Sequence, residues 1–182
     1  AIRRACSQAD RALPTSAVVL GARATASSAL AALGELGIVT STVAARRFGG
    51  PGSVVAASSR LGVSIDQVLW SDRDAVLRAV SGADLVISTL PAGVGDPLAE
   101  QMCVREGQVL LDVVYSPRET ALRSAFERNG GIVAEGTDML VFQAAAQVQL
   151  MTGRTPKTDV MRGALEAELA RRARVSGGGT AS

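Results

Sequence analysis

The sequence contains no histidine and only one lysine, Lys157, in 182 residues. The two cysteines, Cys6 and Cys103, stand far apart with no metal-type spacing. Zinc chemistry and histidine-based triads therefore have no material to work with, no metal is expected, and both thiols are expected to be reduced and structural. Aromatic residues make up 3% of the chain, which leaves the core to Val, Leu, Ile and Ala packed in layers, as in sheets buried on both faces. Every long apolar run is broken well before the roughly 18 residues of a membrane span, and the start has no signal-peptide layout. No membrane partner is expected, and the expected location is cytoplasmic. The formal charge of +2 is spread along the chain. Its one dense basic stretch, 171–174, falls near a helix end that favours cations, so no nucleic-acid partner is expected.

What is present is an alternation of short apolar runs with Ala- and Leu-rich stretches of helical period. Residues 1–12 read as the tail of a helix ended by Pro14 and lacking a cap at its start, the pattern of a truncated inter-domain helix. Strands are expected at 17–20, 38–45, 67–70, 84–88, 109–114 and 132–134, with helices at 24–36, 53–61, 72–80, 98–104 and 119–128 between them. Two helices, 138–151 and 160–174, close the chain. Such interleaving predicts an α/β, doubly wound, mostly parallel Rossmann-like sheet with C-terminal helices. The expected organisation is an inter-domain helix over 1–12, a dinucleotide domain over 13–136, closing helices over 137–175 and a flexible tail over 176–182.

A dinucleotide fold places the pyrophosphate at the first strand-to-helix turn, where glycines let backbone N–H groups approach. Here the turn reads Gly21-Ala22-Arg23-Ala24-Thr25-Ala26. Gly21 supplies the tight turn and Ala26 fits the third position, while Arg23 occupies the second, where a side chain either pairs with a phosphate or closes the site. An ordinary strand–helix junction is the alternative. The second strand ends in Ala45-Arg46-Arg47 with no acid, which favours a ribose 2′-phosphate, and hence NADP, over NAD. The loop from Ser88 to Gly93 and the strand end carrying Tyr115 should border the crevice. Gly136 allows close backbone approach, and Gln143 lies one helical turn beyond Met139.

The loop Ser88 to Gly93, the run Leu111-Asp112-Val113-Val114-Tyr115-Ser116-Pro117-Arg118-Glu119-Thr120 and the run Gly136-Thr137-Asp138-Met139-Leu140-Val141-Phe142-Gln143 together resemble the shikimate dehydrogenase family. The resemblance spans residues 17–169 and implies an NADP-dependent oxidoreductase that reduces 3-dehydroshikimate to shikimate in aromatic amino-acid precursor (chorismate) biosynthesis. It implies cofactor contacts at Gly21, Ala22, Arg23, Ala24, Arg46, Arg47, Thr89, Leu90, Pro91, Val113, Gly136 and Met139, and substrate contacts at Tyr115 and Gln143. Arg23 and Ala24 stand where the family has glycines, and Ser88 and Leu90 where it has Asn and Thr. The family's catalytic Lys and Asp belong to an N-terminal substrate domain that nothing here matches. The expected protein is therefore the NADP-binding part alone, with no catalytic residue and no turnover by itself. In the family the closing helices return to the substrate domain, so an apolar face there would allow a homodimer. The alternative function is a non-catalytic dinucleotide-fold binding or regulatory module.

Overall fold

Ala17-Val18-Val19-Leu20 offers no polar side to water, and all four residues are buried. A computed structural model describes residues 1–50 and 52–177. This stretch is β1 (Ala17–Leu20), joined in one sheet by β2 (Thr40–Ala45), β3 (Ser64–Leu69), β4 (Leu85–Ser88), β5 (Val109–Asp112) and β6 (Ile132–Ala134). Every pairing is parallel and the order is β3-β2-β1-β4-β5-β6. β1, β4 and β5 are buried along their whole length, whereas the edge strand β3 is exposed at four of its positions. This is the gradient of a parallel sheet covered on both faces.

The connecting helices are α1 (Ile2–Gln8), α2 (Ala24–Glu35), α3 (Val54–Leu61), α4 (Arg73–Gly82), α5 (Asp96–Ala99) and α6 (Ala121–Arg128). Their starts follow from capping residues whose side chains accept from the first turn: Ser53 from Ala56 N–H, Asp72 from Ala75 N–H and Thr120 from Arg123 N–H. Val18, Leu20, Val86 and Leu110 turn to one face, against Val76 and Val80 of α4, Leu98 of α5 and Leu122 and Phe126 of α6. The two-residue period of a strand sends Val19 and Ile87 to the other face. Each fully buried Leu or Phe of this kind contributes about 1.5–3 kcal/mol.

The chain divides into two units, Ala1–Glu135 and Gly136–Ser182. α1 belongs to the first, where Cys6 is buried and burial pushes its thiol up. Cys103 is exposed, so only one of the two thiols has the structural setting expected for both. The second unit holds α7 (Gly136–Thr152) and α8 (Thr158–Gly177), tied by Arg162, whose Nε donates to Asp138 at 2.7 Å. Of the tail expected over 176–182, the first two residues end α8 and 178–182 lie outside the described residues. No helix among the described residues is long and apolar enough to cross a membrane.

Two junctions hold the sheet's ends. At the carboxyl end, the Leu20 carbonyl accepts both the Thr89 N–H at 2.9 Å and the Thr89 hydroxyl at 2.8 Å. The chain leaves β1 through Gly21 at φ +111°, and a Cβ there would collide with Thr89 Oγ1. At the amino end, Asp84 accepts from the Thr15 N–H and hydroxyl, the Ser16 N–H and Arg105. Burial pushes the Asp84 carboxyl up, but those hydrogen bonds outweigh it and hold it at about 2.

Gly21→Ala is expected to lower stability by about 2 kcal/mol or more, because φ is strained and the Thr89–Leu20 hydrogen bond must shift. In a Thr89→Ala background the same change should cost less, and thermal melts of the four proteins measure the coupling. Because the folded Asp84 carboxyl titrates below its ordinary 3.8, its stabilising contribution is full above that value and is lost as pH falls towards about 2. Denaturant melts from about pH 5 down to about pH 2 should show Asp84→Asn losing less stability over that window than the parent chain.

Candidate functional site

In an open parallel sheet the crevice lies beyond the carboxyl ends of the strands, where their order reverses. Here the reversal falls between β1 and β4. A cleft of about 330 Å³ opens at that end of the sheet, lined by Gly21, Ala22 and Arg23 after β1, Ala45, Arg46 and Arg47 at the end of β2, Trp70 after β3, and Thr89, Leu90, Pro91 and Val94 after β4. Its volume is at the low end of the roughly 300–1,000 Å³ common for small-molecule sites. It thus brings together eight residues singled out from the sequence: Gly21, Ala22, Arg23, Arg46, Arg47, Thr89, Leu90 and Pro91.

Three of the lining side chains are exposed guanidiniums, Arg23, Arg46 and Arg47, and no acid lines the cleft with them. None has an ion-pair or hydrogen-bond partner among the described residues. Arg23 is the N-cap of α2 and makes no side-chain capping bond, and the first turn of α2 carries no acid. The positive end of the helix dipole is therefore not neutralised by the chain. Ala26, in the third position of the turn, is fully buried, which is the close helix–sheet packing that this position requires. The loop after Arg47 is tied back to the turn: Val54 N–H donates to the Ala22 carbonyl at 3.3 Å and the Ser27 hydroxyl to the Gly52 carbonyl at 3.1 Å.

Trp70 and Val94 are lining residues that sequence reasoning missed. Trp70 follows β3, and its N–H donates to the Ala45 carbonyl at 2.9 Å, which holds it beside the Arg46 segment. Arg73 lies 5.8 Å from the centre of its ring, a cation–π distance. The usable signal was strand order. Once β3 pairs with β2, the residue after β3 must border the second strand's end.

The remaining expected site residues are not among those that line this cleft. Ala24 sits in the first turn of α2, outside the cleft lining. Val113 donates its N–H to the Ser88 carbonyl at 3.0 Å, and Tyr115 is 42% exposed. The Ser88 hydroxyl is directed to Asp112, a buried carboxylate that burial pushes up against hydrogen bonds from Thr120, Val114 and Ser88. Gly136, Met139 and Gln143 are all on α7, in the second unit, where they are buried, half-buried and exposed respectively. A second cavity of about 430 Å³ at the amino ends of the strands includes Asp84, whose oxygens already accept from Thr15, Ser16 and Arg105.

Comparison with known proteins places these features among relatives. A family model described as the Shikimate 5'-dehydrogenase C-terminal domain matches residues 136–166. A Moorella thermoacetica protein named shikimate dehydrogenase (NADP(+)) is 33% identical over 150 residues, which is 80% of this chain and 50% of that protein. The crystal structure of Mycobacterium tuberculosis shikimate dehydrogenase is 36% identical with a TM-score of 0.71, over 80% of this chain and 54% of that one. A Thermus thermophilus shikimate 5-dehydrogenase, solved in complex with NADP(H) and shikimate, is 27% identical with a TM-score of 0.65, over 94% of this chain and 60% of that one. The chain spans 30% to 50% of the length of the curated relatives it matches, 30% of one from Bacillus cereus and 50% of the Moorella protein. In sequence and in fold, this chain is similar to shikimate dehydrogenases, and its residues 136–166 match the model of that family's C-terminal domain.

Proposed function

We propose that this chain is the NADP-binding part of a shikimate dehydrogenase, the enzyme that reduces 3-dehydroshikimate to shikimate. The observation that carries the proposal is the cleft at the strand-order reversal, with Arg46 and Arg47 unpaired at the end of β2 and no acid beside them. An acid there would bond a ribose 2′-hydroxyl, whereas arginine suits a 2′-phosphate. The residues fit the cofactor: Gly21 turns at positive φ, the α2 N-terminus is left without an acid, and Trp70 offers a ring beside the arginines for a base.

When bound, NADPH supplies the hydride. Arg46 and Arg47 would hold the ribose phosphate, and Gly21, Ala22 and Arg23 the pyrophosphate side. Thr89, Leu90 and Pro91 would form the wall towards the nicotinamide, with Ala24, Val113, Gly136 and Met139 as further cofactor contacts. Tyr115 and Gln143 would contact shikimate. By the resemblance, the proton at the carbonyl oxygen comes from a lysine in the half of the relatives that has no counterpart here. Positioned proton transfer of that kind contributes about 10²–10⁴-fold. The organisation proposed is an inter-domain helix, a nucleotide domain and closing helices, in a cytoplasmic enzyme. Association of two copies through the closing helices, where Leu150 and Met151 are exposed, is part of the same proposal. A second reading, a nucleotide-fold module without catalysis, is favoured by one observation: Arg23 stands at the turn's glycine position.

Calorimetric titration of the chain with NADPH, with NADH in parallel, tests the first reading. Binding in the micromolar range is expected for NADPH, weaker binding for NADH, and a loss of roughly tenfold or more for NADPH in Arg46→Ala. Absence of NADPH binding at millimolar ligand would move the non-catalytic reading ahead.

A further inference from the structure

Arg23 occupies a place where an open turn needs no side chain at all. It is nonetheless exposed, caps nothing, pairs with nothing among the described residues, and lines the same cleft as Arg46 and Arg47. The backbones of the two segments that carry these guanidiniums are joined, because the Ala44 carbonyl at the end of β2 accepts from Gly21 N–H at 2.8 Å. Basic groups from both segments thus line the cleft together with the neutral surface of Trp70, Leu90 and Pro91.

The charge balance says which ligand suits this arrangement. Three guanidiniums plus about half a charge from the end of α2 give a cleft close to +3.5. A bridging pyrophosphate brings one negative charge on each phosphoryl group, and a ribose phosphomonoester adds about 1.5 to 2 more. A nucleotide with both groups nearly neutralises the cleft, whereas one lacking the phosphomonoester leaves like charges facing each other.

We infer that Arg23 is a specificity-determining residue, forming with Arg46 and Arg47 a three-cation clamp for adenine nucleotides that carry both a ribose phosphomonoester and a 5′ phosphate, so that the adenylate end alone supplies most of the affinity. The inference rests on the nucleotide-binding reading above and locates the binding energy within the ligand. In place of backbone N–H groups reaching the phosphate through glycines, recognition at this turn passes to a side-chain charge.

The test is calorimetry on the 182-residue chain with NADPH, adenosine 2′,5′-bisphosphate and adenosine 5′-monophosphate, repeated on Arg23→Ala, Arg23→Lys and Arg46→Ala. The bisphosphate should bind within a few-fold of NADPH, and the monophosphate should bind roughly tenfold or more weakly. Arg23→Ala should weaken the bisphosphate by roughly tenfold, with Arg23→Lys recovering part of the loss, which a purely steric role would not show. Melting temperatures without ligand should be unchanged, since the side chain is exposed and unpaired. Equal or tighter binding by Arg23→Ala would mean that the side chain only crowds the turn. That result overturns this inference while the Arg46 dependence of NADPH binding still stands. A parent chain that binds no NADPH overturns both.

Discussion

Much of the structure depends on the Leu20 carbonyl, which accepts two hydrogen bonds from one residue, the N–H and the hydroxyl of Thr89. Neighbouring strands end together there, and the hydroxyl fills the space over Gly21. The turn into α2 can only be made by a residue with no side chain and a positive φ. From that constraint follow the direction of α2, the position of its N-terminus over the sheet, and a cleft that opens beyond β1 and β4 rather than elsewhere along the edge.

What the cleft then contains is a deliberate imbalance. Elsewhere in the first unit Arg118 and Arg123 are matched: Arg123 bonds Glu135 through both terminal nitrogens and Arg118 bonds the same carboxylate, and that carboxyl is held down by these bonds. Around the cleft no such match exists. A cluster of like charges left without acids on a folded surface costs stability and raises the local concentration of anions. The same contrast separates the cleft from the basic stretch at the end of α8, where Arg171 and Arg172 both bond Glu168.

The element order was legible because strands such as 17–20, followed by Gly21, and 132–134, preceded by Gly131, are apolar runs punctuated by glycine, and their lengths leave little choice. The misplaced ends have physical causes. β3 begins at Ser64, before the expected 67, because an edge strand is defined by backbone pairing with β2 and needs no apolar side chain at Ser64 or Asp66. β5 stops at Asp112, short of 114, because the Asp112 carboxylate accepts the Val114 N–H and draws the chain out of the ladder. α5 covers Asp96–Ala99 and no more, with Pro97 in its first turn. In the site, the residues after β1, β2 and β4 could be placed because position in a strand–turn–helix unit determines where they point. Trp70 could not, since nothing local says that β3 lies beside β2. Tyr115 and Gln143 could be given a place from the sequence, after a strand and one turn along a helix, but their expected role as substrate contacts came only from the resemblance, because an exposed tyrosine and an exposed glutamine carry no pattern of their own.

Every residue around the cleft lies between Gly21 and Val94, on or just after the first four strands. During synthesis, therefore, every residue that lines the cleft has emerged while β5, β6 and both closing helices are still to be made. At that moment β4 is an edge, with its outer backbone groups waiting for β5. The cleft's lining is thus complete in the chain before the strands that finish the sheet exist.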